Sequence, residues 1–322
     1  MDNWILWAVF GTVVAVGLVL DLGVFHRGAK AVSVREALLF TGLWIAVGLA
    51  FNVAIYYFVD PSHPDAKTRP SIEFLTCYLT EYALSVDNIF VFLVIFRYFS
   101  IPAESQHRVL LWGVLGAMIM RGLFLVIGIE AIERFHWVLY VLGGLLIVTG
   151  VKLLFQGDDD EMNPDKNIVL KLARRFLPVT NDFVGSKFFA HVGGRRLATP
   201  LFLALLVVET TDILFAVDSV PASLGISQNL FVVYTSNIFA ILGLRSLFFA
   251  VGGLLRYLHY LKYGLSIILV FIGVKMLLPE EHKLPIAWAL GVVAGILFVA
   301  IAASLVRARY VKDDESAGGG ES

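Results

Sequence analysis

The sequence predicts an all-α integral membrane protein of about nine transmembrane helices, and three observations predict it. The 322-residue chain is 58% hydrophobic and 16% charged, with a mean hydropathy of +0.81, outside the usual range of soluble globular domains. It divides into nine apolar stretches, each close to the roughly 20 residues that one helical crossing needs. Its basic residues alternate between successive loops, as the positive-inside rule requires of a multi-pass protein. A net charge of −1 gives no sign of nucleic-acid binding, and one cysteine, Cys77, rules out a disulfide framework or cysteine-rich metal site.

The first stretch, residues 4 to 25, follows no basic segment and shows no small-residue cleavage pattern, so it is expected to be a retained span. Asp21 near its end is expected at the interface. The second stretch, 36 to 58, ends in Asp60-Pro-Ser-His-Pro-Asp65, and the third, 71 to 96, ends before Ser100-Ile-Pro102. The fourth and fifth cover 108 to 129 and 136 to 155. A charged segment at 156 to 198, carrying Asp158-Asp-Asp-Glu161 and several Arg and Lys, reads as a cytoplasmic linker whose acidic run is simply solvated. The remaining spans are expected at 199 to 220, 230 to 254, 257 to 278 and 285 to 306. The tail at 313 to 322, with Gly318-Gly-Gly320, is expected to be disordered. With the N-terminus outside and the C-terminus cytoplasmic, 18 of the 25 Lys and Arg fall on the inner side and five on the outer; the other two, Arg121 and Arg245, fall within spans.

The third and sixth spans carry acids that hydrocarbon should exclude. They read Glu81-Tyr-Ala-Leu-Ser-Val-Asp87-Asn88 and Asp212-Ile-Leu-Phe-Ala-Val-Asp218-Ser219, with Glu209 one turn before the second. Each ionised carboxylate at the bilayer centre costs about 3 kcal/mol on insertion scales, so a use such as binding a cation or proton is the first expectation. Arg121 and Arg245 would balance two of the five charges through paired hydrogen bonds, leaving an excess for a divalent cation or protons. A purely structural ion-pair network is the competing reading, and buried pairs are weak stabilisers.

At 100° per residue, Glu81, Ser85 and Asn88 share one helix face and Asp87 points about 120° away; Asp212, Ser219 and Asp218 repeat the relation. Either each acid serves a different neighbour or the helices unwind around Val86 to Asn88 and Val217 to Pro221. Pro221 and the small residues beside it favour unwinding, which would free carbonyls for a cation. The donors on offer are carboxylates, the amide oxygens of Asn88 and Asn237, and hydroxyls of Ser85, Thr211, Ser219 and Ser236. All are hard oxygens, and no His lies at mid-span, which suits Mn²⁺, Ca²⁺ or Mg²⁺ better than Zn²⁺ or Cu⁺. Cys77, Met118 and Met120 are expected to serve packing.

The acidic motifs belong to a longer internal repeat. His136 and His259 lie equally far before Gly150-Val-Lys152 and Gly273-Val-Lys275, and Arg121 and Arg245 each sit in the preceding apolar helix. Residues 71 to 155 therefore match 199 to 278. General likeness among Leu-, Val- and Gly-rich helices does not account for shared Asp, Arg and Gly-Val-Lys positions. The offset is three helices, an odd number, so the units (spans three to five and six to eight) are expected to insert in opposite orientations, as in many secondary transporters with a midplane site.

The two signatures, with Thr235-Ser-Asn-Ile-Phe-Ala-Ile-Leu-Gly-Leu-Arg245 and Leu261-Lys-Tyr-Gly264, resemble those of the TerC family of integral membrane proteins. The resemblance covers roughly Leu20 to Ser304. It implies efflux of Mn²⁺ across the bacterial inner membrane, with Glu81, Asp87, Glu209, Asp212 and Asp218 forming the metal pathway and Asn88 and Ser219 beside them. Asp87 and Asp218, equivalent in the two halves, are the expected direct ligands; Ser85 and Asn237 would support the site. Thr80 and Tyr78 stand near where a counterpart of Glu209 would fall. Proton exchange would drive export. Two alternatives accompany this reading: transport of Ca²⁺ or another divalent cation, and a scaffold delivering manganese to exported metalloproteins through the protein-export machinery. The tellurite resistance for which the family is named would be indirect, because an oxyanion is repelled by a net-negative centre. No nucleophile with a nearby His base is visible at membrane depth, so an enzyme is not expected.

Overall fold

The computed structural model describes residues 4–25, 34–62, 69–155, 167–180, 182–192, 195–251, 260–279 and 286–318. The order is α1 (Trp4–Phe25), α2 (Val34–Phe58), a 3₁₀ turn (Asp60–Ser62), α3 (Pro70–Tyr98), α4 (Ala103–Arg134), α5 (Val138–Phe155), α6 (Ile168–Phe176), β1 (Phe189–Val192), β2 (Arg195–Ala198), α7 (Pro200–Ile226), α8 (Leu230–Val251), α9 (Leu261–Leu277) and α10 (Ile286–Gly318). The protein is an all-α integral membrane protein, and each predicted span corresponds to one long helix. Among the described residues, seven helices are long and apolar enough to cross a membrane. Of the other two, α1 has an apolar stretch of Trp4–Val19. Helix α9 has 17 residues, about 25 Å, short of a hydrocarbon core of about 30 Å.

Boundaries follow local chemistry. Pro70 and Pro200 stand in the first turns of α3 and α7, where a missing N–H costs nothing. Asp60 holds the start of α3 by accepting from the Ser71 amide at 2.9 Å and its hydroxyl at 2.5 Å. Helix α10 runs on to Gly318, into the tail expected to be disordered.

The segment read as a linker folds from Asn167 onward. Asn167 caps α6 by accepting from the Leu170 amide at 3.1 Å, and its side-chain N–H donates to Thr210 Oγ1 on α7 at 2.9 Å. Strands β1 and β2 pair antiparallel, Phe189 opposite Ala198. Arg108 on α4 donates to the Ser186 carbonyl at 2.5 Å. Leu170 and Ala173 are buried with Phe96, Phe99 and Leu201, so this module is packed onto one end of the bundle.

In a bilayer, helices associate through close packing rather than exclusion from water, and small residues let backbones approach. The α5–α9 contact uses this device. A Cβ on Gly143 would meet the Gly273 carbonyl at 3.0 Å, and one on Gly273 would meet the Gly143 carbonyl at 2.7 Å. Two turns along, Ser266 Oγ donates to the Gly150 carbonyl at 2.5 Å. Position rises on α5 as it falls on α9, so the two are antiparallel. Helices α3 and α7 are antiparallel too, Cys77 opposite Ser223 and Glu73 opposite Ser227. Helices α4 and α7 run parallel, Gly113 against Val208 and Gly128 against Leu224. An aromatic nest of Trp7, Phe10, Phe51, Phe74 and Phe239 fastens α1 and α2 to α3 and α8, with the Phe51 and Phe239 centroids 5.0 Å apart.

Candidate functional site

Helices α3, α4 and α7 bring the buried charges together because α4 is small-faced where α7 crosses it. Gly113, Gly116 and Ala117 line that face, and a Cβ on Gly116 would collide with the Glu209 carboxylate. One turn further, Arg121 projects between the helices. Its Nη1 donates to Glu81 Oε1 on α3, and its Nη2 lies 3.6 Å from Asp212 Oδ1 on α7. Arg121 and Glu81 are each 1% exposed and Asp212 5%. Ser85 Oγ donates to Glu81 Oε1 at 3.3 Å. Among the described residues, Glu81 Oε2, Asp212 Oδ2 and Arg121 Nε have no hydrogen-bond partner. One guanidinium thus spans a carboxylate from each acidic motif, and each carboxylate keeps one oxygen for something else.

Asp212 and the buried Arg245 of α8 line a cavity of about 20 Å³ among α3, α4, α7 and α8, room for about one water or a desolvated ion. Its other walls, including Phe92, Val114 and Leu244, are apolar.

The remaining predicted residues disperse. Glu209 lies half-buried on Gly116, and Asp218, also half-buried, faces Thr149 of α5 near the Lys152 charge. Asn88 and Ser219 are buried, and Ser219 Oγ has no partner among the described residues. Asn237 bonds Ser223 at 3.3 Å and Ser236 donates to the Val233 carbonyl at 3.0 Å, and neither bonds a carboxylate among the described residues. Asp87 is helical in its backbone; its side chain falls outside the described residues. Also among the described residues, no three His, Cys, Asp or Glu side chains converge as a metal site.

The expected unwinding does not occur. Helices α3 and α7 are continuous, and Pro221 sits inside α7. Pro221 gives up one hydrogen bond to Val217, a loss that packed neighbouring helices make tolerable in a membrane helix. The six-residue spacing instead sends each acid to a different neighbour, Asp212 to Arg121 of α4 and Asp218 to Thr149 of α5.

Sequence reasoning passed over Glu73, Ser223 and Thr149. A four-residue step marks the first: Glu73, Cys77, Glu81 and Ser85 lie on one face of α3 and all are buried. Thr149 precedes the repeated Gly-Val-Lys, but its match in the second unit is Ile272, so the repeat could not mark it.

Gly116 carries a direct test of this geometry. In Gly116→Ala the new methyl must push the flexible Glu209 carboxylate off α4, at a cost of about 1 kcal/mol. Chemical denaturation in detergent is expected to read a loss of that size; a loss of several kcal/mol would mean that the carboxylate cannot leave α4.

Comparison with known proteins agrees with this architecture. The model of the integral membrane protein TerC family matches residues 66–313. The chain is 47% identical over 311 residues to the uncharacterized membrane protein STKORF319 of Myxococcus xanthus, covering 97% of this chain and 95% of that protein. It is 43% identical over 295 residues to the putative membrane-bound redox modulator Alx of Escherichia coli K12, covering 91% and 92%. The Alx protein of Salmonella typhi is 42% identical over 299 residues, covering 92% of each. No solved structure matches.

Proposed function

Because this chain belongs to the TerC family of integral membrane proteins, we propose that it is a secondary transporter exporting Mn²⁺ from the cytoplasm across a bacterial inner membrane, N-terminus outside, in exchange for protons. The observation that carries the proposal is the buried Arg121 bridging Glu81 and Asp212. A guanidinium between two carboxylates is a built-in cation. It neutralises the acids while no metal is bound, and a divalent ion competes for the same oxygens. The free oxygens Glu81 Oε2 and Asp212 Oδ2 are where a hard cation would first be held. Glu209, one turn along α7, and Asp218 and Asp87, further along their helices, are the carboxylates that would take the ion on or carry the exchanged protons, with Asn88, Ser85 and Ser219 lending oxygens.

Alternating access asks for two halves that can rock, and the α5–α9 contact supports an inverted repeat. Aligning His136 with His259 matches Gly143 to Ser266 and Gly150 to Gly273. Exchanging the halves therefore turns the Gly143–Gly273 contact into the Gly150–Ser266 contact, as a two-fold axis in the membrane plane would.

The scaffold reading has one observation in its favour, the folded α6–β1–β2 module, a docking surface for a delivery partner. A thiol-based redox role, suggested by the relatives' name, lacks a second thiol: the chain has one cysteine, fully buried. A redox or tellurite effect of this chain would be indirect, through altered manganese.

Purified protein in liposomes tests the proposal. Wild type should move Mn²⁺ down an imposed pH gradient, while Glu81→Gln and Asp212→Asn should lose more than about tenfold of that flux. A panel with Ca²⁺ and Mg²⁺ sets selectivity. Absence of Mn²⁺ movement by folded wild type would leave the scaffold reading standing.

A further inference from the structure

The central pair is not isolated on α3. Glu73 and Cys77, 9% and 0% exposed, lead in four-residue steps from the N-terminal end of the helix to Glu81. Helix α7 answers with Ser219, Ser223 and its extended C-cap residue Ser227 at the same sequence spacing, all buried. The two rows touch. Ser227 Oγ donates to Glu73 Oε2 at 2.6 Å, Cys77 Sγ donates to the Ser223 carbonyl at 3.8 Å, and Ser223 bonds Asn237 of α8 at 3.3 Å. Lys275 of α9 donates to the Gly225 carbonyl at 3.5 Å, closing the same end.

Beyond Glu81 in the other direction the chemistry changes. Past Ser85 and Asn88, Phe92, Ile95, Phe96, Leu244 and Phe248 form a buried apolar cluster, and Phe92 and Leu244 also wall the small cavity at Asp212 and Arg245. The side of the central pair toward Glu73 is therefore lined by hydroxyls, an amide and a carboxylate, and the far end of the other side by apolar side chains.

We propose that the α3–α7 polar seam is a proton route from the central site to the membrane face at the N-terminal end of α3, and that Glu73 is its terminal proton-exchanging carboxylate. The inference rests on the coupled-transport reading and adds a station to it. Lys275 makes the choice between proton and metal: its ammonium at the same end repels a divalent cation, whereas a carboxyl bonded to a hydroxyl passes a proton without net charge accumulating. Glu73 would take a proton from hydronium at that face, forming its O–H bond and leaving water, and release it along Ser227, Ser223 and intervening water to a carboxylate at the centre. The charged and titratable groups described at this end include Lys275 from α9, Cys77 from α3 and Asp60, which accepts from Ser71 at the start of α3; α7 and α8 contribute neutral hydroxyls and the Asn237 amide.

The test separates coupling from metal handling. In liposomes holding the full chain, Mn²⁺ flux driven by a pH gradient is compared with Mn²⁺/Mn²⁺ exchange at equal pH. Glu73→Gln should lower the first at least about tenfold more than the second, and Glu73→Asp should recover part of it. Equal losses in both modes, or no loss, would overturn the role of Glu73. A second measurement does not need transport. In a Cys77→Ser background, Ser223→Cys should react with a small membrane-impermeant thiosulfonate from one face, and Phe96→Cys from neither. If wild type moves no Mn²⁺ in either mode, the transport reading falls and labelling alone decides the seam. An unreactive Ser223→Cys would show it to be closed and overturn the route.

Discussion

Arg121→Ala is expected to lower the stability of the purified protein by about 3 to 5 kcal/mol, because it strands Glu81 and Asp212 in the interior without their shared cation. Few single substitutions reach that size, and those that do typically leave a buried charge uncompensated. The loss should shrink when Glu81→Gln is added, since removing one carboxylate relieves the imbalance, and a double-mutant cycle reads that coupling. Arg121→Lys should recover only part of the deficit. An ammonium is a single point charge, whereas the guanidinium offers separate N–H groups to Glu81 on α3 and Asp212 on α7. The measurement is chemical denaturation in detergent, followed by near-ultraviolet circular dichroism. A loss under about 1 kcal/mol would mean that water already reaches the pair.

Leucine at Gly143 or Gly273 should cost about 1 to 3 kcal/mol each, at the upper end of that range. The obstacle at each site is a backbone carbonyl of the other helix, which cannot swing aside as a side chain would. Both substitutions act on one contact, so the double variant should lose less than the two single losses combined, by about 0.5 kcal/mol or more. Gly144 is the control: nothing lies within 4 Å of a Cβ there, and Gly144→Leu should stay within about 0.5 kcal/mol of wild type. If Gly144→Leu is as damaging as Gly143→Leu, the α5–α9 packing described above is wrong.

These two expectations differ in how far they could be read without a fold. That Arg121 would balance acids was legible, since an arginine within an apolar span has few other uses. Which acids it would meet was not. Five carboxylates were candidates, and the crossing of α4 over α7 at Gly113 and Gly116 selected Glu81 and Asp212. Asp218 stood in an equivalent motif position to Asp87, which suggested a shared role, yet its side chain goes to Thr149. Motif equivalence records position along a helix. It does not record which neighbour lies at that azimuth.

The broken-helix expectation failed for a related reason. A proline and small residues in water would end a helix, but α7 is held on several sides by packed helices and keeps its path through Pro221. The linker shows the converse: its charge reads as a cytoplasmic connection, whereas from Asn167 onward it is folded, with Leu170 and Ala173 buried and docking α6; its acidic run at 158 to 161 lies outside the described residues. Helix α6 carries six apolar residues among its nine, and only the surface that receives it decides that Leu170 and Ala173 are the ones buried.

The amino-acid sequence by itself determined that this chain lies in a membrane, where its spans begin to within about five residues and where most of them end, α7 and α10 running on past the expected limits, and that costly oxygen ligands gather on two of them. Those properties depend on composition and period along one dimension, through the free energy of placing each side chain in hydrocarbon. Tertiary structure decided that Arg121 bridges the two motifs, that Asp218 looks elsewhere, and that a polar seam leaves the centre toward Glu73 while phenylalanines line the far end of the opposite side. Each of these is a matter of which helix faces which, and in a bilayer that choice is made by close packing at glycines rather than by the hydrophobicity that the sequence displays most openly.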